Sequence, residues 1–160
     1  MDTCDPTDGR ALRSAFGKFA TGVTVITTRD DDGNPFGITA NSFASVSLDP
    51  PLLLWSPAKG SGRHKVFTQA REFAVHVMRD DQRAICDGFV KDAFAFDGLD
   101  WSENAEGVPV LASALARFEC RRFGLTDAGD HTLVLGEVYR CAVGDGAPLA
   151  FFSGKYGGFV

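Results

Sequence analysis

The spacing of apolar residues changes several times along this chain, and each spacing predicts a different element. Near the N-terminus three apolar residues recur four and three positions apart, as on one face of a helix: Leu12, Phe16 and Phe19. Thr7 or Asp8 can cap such a helix, and Gly22 can end it. We therefore expect a short first helix that packs its phenylalanine-rich face on a sheet.

Runs of β-branched and alternating residues predict strands further along. Residues 23–29 are rich in threonine, and a turn signal at 32–35 joins them to 36–44 as a hairpin. The continuous apolar run 52–55 predicts a buried strand. The later part of the chain predicts, in order, a short helix at 66–71, a strand at 73–78, a helix capped by Asp80 that carries Ile85 and Phe89, a strand at 116–121, a turn at 127–130 and a long strand at 131–143.

Two segments complete the predicted architecture. Residues 92–109 show neither period, so we interpret them as a long excursion such as a flap. In segment 116–121 a half-buried strand is indicated, because one set of residues alternates with charged ones: Ala116, Phe118 and Cys120 against Arg117, Glu119 and Arg121. Strands outnumber helices and turns separate most of them, so the predicted fold class is mainly β, a closed or nearly closed antiparallel barrel with a few peripheral helices.

Composition narrows the function classes. The 160 residues are expected to form one domain, residues 1–160, in which 1–10 are a flexible N-terminal tail. A net charge of -5 argues against non-specific binding to nucleic acid or to a membrane surface. Apolar runs fall short of the roughly 20 residues that span a bilayer, and the acidic N-terminus lacks a secretory signal. Four widely spaced cysteines without a C-x-x-C pair predict reduced thiols in a cytoplasmic protein and no zinc site.

The candidate chemistry lies in segment 39–65. Five positions of a strand-like stretch carry hydrogen-bonding side chains where a buried strand would carry Val or Ile: Thr39, Asn41, Ser42, Ser45 and Ser47. Buried hydroxyls and amides cost free energy unless something bonds them, and a flat ligand with a polar edge would do so. The loop 59–65 then collects four basic residues around Gly-Ser-Gly, which is the composition of an anion site.

Each of these features also has a purely structural interpretation. Serine and threonine are common on exposed strand faces, and basic Gly-Ser loops are common on surfaces. Their occurrence together favours a ligand with a polar ring and a phosphate. Segment 52–81 also imitates half of a dinucleotide-binding fold, but Lys65 occupies the third glycine position of G-x-G-x-x-G. Because the rest of the chain shows hairpins instead of strand-helix alternation, we reject that interpretation.

Four segments in the right order resemble the flavin reductase-like family: FGKFATGVTVITT, GITANSFASVSLDPPLLLWSPAKGSGRH, GDHTLVLGEV and a Gly-Lys-Tyr-Gly tail. The resemblance runs from about residue 12 to residue 157, and its central motif is long and specific. It implies an FMN-binding split β-barrel, a homodimer, and an NAD(P)H:flavin oxidoreductase that uses FMN or FAD with NADH or NADPH. Such reductases often supply reduced flavin to a separate monooxygenase component.

Matched residue by residue, the resemblance implies a site. Seven residues would line the isoalloxazine and ribityl chain: Thr39, Ala40, Asn41, Ser42, Ser45, Val46 and Ser47. Five would hold the phosphate end: Ser56, Ala58, Lys59, Ser61 and Arg63. His131 falls where the family has a histidine near the nicotinamide, and Tyr156 matches a C-terminal aromatic residue near the same place. Gly60 and Gly62 depart from a serine-rich loop in relatives and leave fewer hydroxyls for phosphate.

Several assignments remain open at this point. His131 is either a nicotinamide-positioning residue or a turn histidine, and Lys59 and Arg63 are either phosphate ligands or solvated cations. Structural roles are expected for His64 (surface of a helix), His76 (strand), Asp130 (turn), and Trp55 and Trp101 (core or interface). Two other functions are compatible with the residues, a flavin carrier or electron-transfer protein without reductase turnover and an FMN-dependent oxidase of the wider split-barrel group.

Overall fold

The computed structural model describes residues 1–158 of the chain. Its elements, in chain order, are α1 (Gly9–Phe16), β1 (Thr21–Gly22), β2 (Thr24–Arg29), β3 (Pro35–Ala40), β4 (Ala44–Leu48), β5 (Pro51–Trp55), α2 (His64–Gln69), β6 (Glu72–Val77), α3 (Arg83–Lys91), β7 (Trp101–Glu103), β8 (Pro109–Leu111), β9 (Ala116–Ala128), β10 (His131–Val143), β11 (Ala150–Phe152) and β12 (Lys155–Gly157). A 3-10 turn, Asp80–Gln82, leads into α3, so Asp80 begins that turn and does not cap the helix as predicted.

Seven strands form one antiparallel sheet in the spatial order β3, β2, β6, β9, β10, β5, β4. The strands β1, β11 and β12 form a second small sheet, and β7 pairs with β8. The prediction of a mainly β, antiparallel fold with a few peripheral helices is confirmed. Within the described residues no ladder joins β3 to β4, although the two strands are separated by only residues 41–43.

Aromatic side chains form the core, as their abundance suggests. Trp55 is fully buried and meets Phe67 edge-on, with 5.0 Å between ring centroids, which confirms its assignment to the core. A second cluster joins α3 to the sheet through Cys86, Phe89 and Met78. Full burial of a large apolar side chain stabilises a fold by roughly 1.5–3 kcal/mol. These clusters therefore hold the strands that carry the candidate site.

The hairpin of β9 and β10 is the longest feature of the sheet. Each strand has 13 residues, and Gly129, at φ 59°, makes the turn that the sequence predicts. Gly136 allows the two strands to approach the core closely, because a Cβ there would lie 2.6 Å from Phe73 Cζ and 3.1 Å from Cys120 Cβ. The hairpin brings His131, the first residue of β10, to the end of the sheet.

The first helix forms but is shorter than predicted, since it ends at Phe16 and leaves Phe19 outside, and it does not pack as predicted. Asp8 caps it, accepting hydrogen bonds from the backbone N–H of Arg10 at 2.9 Å and of Ala11 at 3.3 Å. Phe16 is 70% exposed and Phe19 79% exposed, so the expected packing of the phenylalanine face on a sheet is wrong. Periodicity reveals that a helix has an apolar face, but it does not reveal whether the same chain supplies a partner for that face.

Residues 92–109 do not form an excursion from the fold, so that prediction is wrong as well. The strands β7 and β8 pair as a hairpin, and Phe96, Val108 and Val110 are buried. Three-residue strands are too short to show a period in the sequence. Because this segment supplies Asn104 and covers part of the sheet, Glu119 is 1% exposed, whereas alternation predicted an outward side chain.

No helix among the described residues is both long enough and apolar enough to cross a membrane.

Candidate functional site

The polar segment 39–47 is divided by a change of direction. The strand β3 ends at Ala40 and β4 begins at Ala44, so the predicted single strand over 36–44 is wrong. Ser42 explains the break, because its hydroxyl accepts a hydrogen bond from the backbone N–H of Ser56 at 2.9 Å and ties the bend to the end of β5. The side chains are also more open than a buried strand would place them, since Ser45 and Val46 are exposed and Ser47 is half-buried.

A pocket of about 140 Å³ lies where β3 ends. Its lining residues are Val23, Thr39, Ala40, Asn41, Phe151 and Tyr156. The Thr39 hydroxyl is already bonded within the protein, because it donates to the carbonyl oxygen of Cys86 at 2.7 Å and anchors β3 to α3. Tyr156 is fixed from two sides, by the ring of Phe151 at 5.4 Å between centroids and by the Arg83 guanidinium at 5.0 Å from its own centroid. The structure thus brings together Thr39, Ala40, Asn41 and Tyr156.

Two larger pockets adjoin the first one. A pocket of about 340 Å³ shares Asn41 with it and includes Thr21, whose buried hydroxyl has no hydrogen-bond partner among the described residues. A third, of about 620 Å³, shares Tyr156 and lies along the β11 and β12 hairpin. Drug-sized ligands occupy roughly 300–1,000 Å³. The adjoining pockets and the unpaired Thr21 hydroxyl therefore fit a planar ligand with a polar edge and a substituent.

The loop after β5 lies against the β9 and β10 turn. Ala58 forms an isolated antiparallel bridge with His131, and the backbone N–H of Lys59 donates to the carbonyl oxygen of Asp130 at 2.8 Å. The Ser61 hydroxyl accepts from the backbone N–H of Arg63 at 3.2 Å. The Lys59 ammonium lies 3.4 Å from a carboxylate oxygen of Asp127, so an anion that enters the loop would compete with that carboxylate.

Arg63 points from this loop into the interior. Its guanidinium donates to the backbone carbonyl oxygens of Gly37, Phe89 and Val90. Burial lowers the pKa of Arg63, and the nearby charge of Asp92 acts in the opposite direction. These contacts link β3 to the end of α3, so Arg63 fixes the loop after β5 to the interior of the protein.

The three histidines occupy different environments. His131 Nδ1 lies 2.7 Å from a carboxylate oxygen of Asp130. Asp130 therefore has a structural role at the turn, as expected. His64 was expected on the surface, yet it is half-buried and its Nε2 lies 2.8 Å from the Thr132 hydroxyl. The same hydroxyl donates its proton to a carboxylate oxygen of Asp127 at 3.1 Å.

His76 is the structural strand histidine that the sequence predicts. Its Nδ1 donates to the carbonyl oxygen of Val25 at 3.0 Å, and its Nε2 accepts from the backbone N–H of Leu111 at 3.1 Å. Burial lowers its pKa to about 4. A neutral ring with both nitrogens bonded has no capacity left for a ligand.

Contacts join these parts into one continuous path along an end of the sheet, which we call the polar track. It consists of Thr39, Ala40, Asn41, Ser42, Ser56, Ala58 and His131, connected by chain neighbours, by the hydrogen bond between Ser42 and Ser56, and by the bridge between Ala58 and His131. Ser45, Val46 and Ser47 extend beside it on the edge strand β4. Thr21, Phe151 and Arg83 were missed by sequence reasoning, because only folding brings β1, β11 and α3 to this place.

An antiparallel sheet with a hydroxyl-lined track beside a basic loop is the arrangement that the sequence led us to expect of a protein that binds a flat, phosphorylated ring. The flavin reductase like domain family matches residues 16–159. The chain therefore belongs to the flavin reductase-like family, and the resemblance found in the sequence is confirmed.

Individual similar proteins and solved structures support the assignment to this family. A protein named FMN reductase (NADH) from Agrobacterium fabrum is 55% identical over 152 residues, which are 95% of this chain and 87% of that protein. The reductase component of a flavin-dependent trigonelline monooxygenase from Acinetobacter baylyi is 43% identical over 92% of this chain, which covers 48% of that component. The structure of a Streptomyces globisporus NADH:FAD oxidoreductase in complex with NAD and FAD fragments superimposes with a TM-score of 0.92 at 38% identity, covering 100% of this chain and 98% of that one.

Proposed function

We propose that this protein is an NAD(P)H:flavin oxidoreductase that catalyses hydride transfer from NADH or NADPH to FMN or FAD. The observation that carries the proposal is the continuous polar track, which begins at a pocket of ring-binding character and ends at a basic loop and a histidine. The names of the similar proteins point to the same reaction. No catalytic triad or carboxylate pair is needed, because the flavin supplies the hydride acceptor and the nicotinamide supplies the hydride.

In this proposal the flavin ring lies along the strand wall. The Asn41 side chain and the Ser45 and Ser47 hydroxyls make no hydrogen bond to another described residue, so they are free to bond a polar ring edge. Ala40 and Val46 supply apolar contact beside them. Ser42 positions the wall relative to the loop through its bond to Ser56. Prearranged polar groups of this kind stabilise charge that develops on a bound ring during reduction.

The loop after β5 is proposed to hold the flavin phosphate. Ser56, Ala58 and Ser61 supply backbone N–H groups and hydroxyls, and Lys59 supplies a positive charge that Asp127 holds in place until the anion binds. The contacts of Arg63 with three carbonyl oxygens indicate that it positions this loop. A phosphate contact by Arg63 stays a prediction, and it requires the guanidinium to leave at least one of those carbonyls.

His131 and Tyr156 are proposed to bound the place where the nicotinamide stacks on the flavin. His131 is half-buried and held by Asp130, which lets its ring face the track without turning freely. Tyr156 is fixed by Phe151 and Arg83. Side chains that are held in one orientation reduce the entropy that two rings lose when they come within roughly 3.5 Å.

The biological setting follows from the same proposal. Reduced flavin would pass to a separate monooxygenase, as the name of the Acinetobacter baylyi relative suggests.

Two copies of this protein would pair through the edge strand β4, where Leu48 is 96% exposed and Val46 47% exposed, because exposed apolar side chains on an unpaired edge favour association. Residues 1–160 would act as one domain in the reducing cytoplasm, which suits the buried, free Cys86 and Cys120.

Catalytic turnover tests the proposal directly. Purified protein is mixed with NADH or NADPH and an excess of FMN or FAD, and oxidation of the nicotinamide is followed by absorbance. We expect many equivalents of nicotinamide to be consumed per protein. Oxidation that stops at one equivalent would instead indicate a flavin carrier or electron-transfer protein, and oxidation that requires another small substrate would indicate an oxidase.

A further inference from the structure

A groove outside the polar track lies between the end of α1 and the β11 and β12 hairpin. Its volume is about 620 Å³, and we call it the tail groove. The residues that matter for its chemistry are Lys18, Phe152, Ser153, Lys155 and Tyr156. Tyr156 also lines the pocket at the end of β3, so the tail groove continues from the proposed nicotinamide position.

The tail groove is cationic in a protein of net charge -5. No carboxylate lines it, and neither Lys18 nor Lys155 lies within 4.0 Å of a carboxylate oxygen of the described residues. By contrast, Lys59 lies 3.4 Å from Asp127, and Lys65 lies 3.6 Å from Asp31. Two of the uncommitted lysines of this chain therefore face one groove.

The geometry of the hairpin holds one of these lysines over the groove. Lys18 Nζ donates to the Ser153 hydroxyl at 3.4 Å and lies 5.8 Å from the centroid of the Phe152 ring. Ser153 has φ 48°, a conformation that costs free energy in a residue other than glycine. Its backbone N–H donates to the carbonyl oxygen of Gly17 at 2.8 Å, so the strained turn is fastened to the end of α1.

We propose that Lys18 and Lys155 bind the pyrophosphate of the nicotinamide dinucleotide, with the tail groove receiving the part of the donor beyond its nicotinamide ring. The proposal rests on the reductase function proposed above and assigns the residues that recognise the donor. A pyrophosphate carries two negative charges, which two ammonium groups can neutralise, and the half-exposed Phe152 offers a face on which a base can stack.

The flavin phosphate is the competing occupant, and the structure favours the dinucleotide for two reasons. The loop after β5 already offers a cation and a hydroxyl group for that phosphate, in Lys59 and Ser61. The reaction requires two phosphorylated ligands, and among the described residues the loop after β5 and the tail groove are two separate places that offer lysine ammonium groups. The tail groove is the one that continues past Tyr156, from the side on which the donor ring is expected.

The test compares two hydride donors in Lys18→Gln, Lys155→Gln and the double variant. One donor is NADH, and the other is 1-benzyl-1,4-dihydronicotinamide, which has the same reacting ring and no phosphate. For NADH we expect KM to rise about fivefold per lysine, the effect of about 1 kcal/mol for a solvent-exposed ion pair, with kcat retained. KM for the benzyl donor and KM for FMN should stay within twofold of the wild type. Lys91→Gln, an exposed lysine of α3 far from this hairpin in sequence, is the matched control and should change neither.

The dissociation constant of NADH, measured by calorimetry in the same variants, separates this inference from the proposed function. If the wild type turns over neither donor while NADH binding weakens in the double variant, the reductase proposal fails and the lysine assignment stands. An unchanged NADH dissociation constant in the double variant overturns the assignment. A rise in KM for FMN alone also overturns the assignment, because it would show that the groove binds the flavin phosphate.

Discussion

Two polar regions of the molecule differ in how far their side chains are paired within the protein. Around Glu119, one carboxylate accepts hydrogen bonds from Asn104 Nδ2 at 2.7 Å and from Arg140 at 2.6 Å, and Arg117 Nε lies 3.1 Å from it as an ion pair without a hydrogen bond. At the polar track, the exposed Asn41 side chain makes no hydrogen bond to another described residue, and beside the track the buried hydroxyl of Thr21 has no partner among these residues. The sequence pattern cannot separate the two regions, since each reads as polar residues in a strand. The difference indicates that the first region stabilises the fold, and it supports the proposal that the second region binds a ligand.

The largest expected effect comes from breaking the satisfied region. In Glu119→Ala the guanidinium groups of Arg117 and Arg140 lose their shared carboxylate and repel each other. Removing one member of a buried ionic group costs about 3–5 kcal/mol, and we expect the lower value because the Arg140 side chain is 45% exposed. Urea unfolding measures the change in free energy of unfolding.

A half-buried glutamate of β10 provides the control for that experiment. Glu137 has no ionic partner within 4.0 Å among the described residues, so Glu137→Ala should change the free energy of unfolding by less than about 1 kcal/mol. A loss of under about 1 kcal/mol in Glu119→Ala would mean that the cluster contributes no more than a surface ion pair.

The second effect is a pH dependence of stability due to His76. Burial lowers its pKa in the folded protein from 6.5 to about 4; the Val25 carbonyl opposes this shift. The unfolded chain therefore binds a proton at higher pH than the folded one, and stability is lost as pH falls from about 6.5 towards 4. Each unit of pKa shift corresponds to about 1.4 kcal/mol, so the free energy of unfolding falls by about 3 kcal/mol in total.

His76→Gln isolates this term from the titration of the carboxylates. The variant keeps a donor and an acceptor at the site but has no titrating group, so the free energy of unfolding should depend less steeply on pH between 6.5 and 4 than in the wild type. Parallel curves for wild type and His76→Gln would show that the ring is not neutralised by burial.

Local features of both regions could be predicted from the sequence, whereas their partners could not. The β10 strand and the Gly129 turn were predicted correctly, because each is specified by neighbouring residues. Glu119 was expected to face solvent because alternation within one strand says nothing about a segment that folds over it from elsewhere. The same holds for the track, where motif similarity named Asn41 and Tyr156 but gave no sign of Thr21.

The third prediction moves to the unsatisfied region. Asn41→Ala should raise the dissociation constant of FMN about tenfold, which corresponds to about 1.4 kcal/mol for lost hydrogen bonds to the ring. The free energy of unfolding of the free protein should change by less than about 0.5 kcal/mol, because the side chain has no partner to lose. Fluorescence titration of FMN gives the affinity.

Asn34 offers the opposite behaviour in a residue of the same type. Its side chain donates to Asp30 at 3.1 Å in the turn between β2 and β3. Asn34→Ala should therefore lower stability by about 0.5–1.5 kcal/mol and leave FMN affinity unchanged. If Asn41→Ala destabilised the protein and bound FMN normally, the two regions would not differ in the way that their contacts indicate.

The smallest effect is also the sharpest comparison, because it uses one substitution at two threonines. Thr21→Val replaces a buried hydroxyl that has no partner, so the free protein should be unchanged or more stable by up to about 1 kcal/mol, while FMN affinity falls about threefold. Thr27→Val removes a hydroxyl that donates to the carbonyl oxygen of Pro109 at 2.5 Å and leaves that buried carbonyl unpaired. It should cost about 1–3 kcal/mol of stability and leave FMN affinity unchanged. Equal stability losses in the two variants would mean that the Thr21 hydroxyl is satisfied within the protein, and this hydroxyl would then not be available for a ligand to bond.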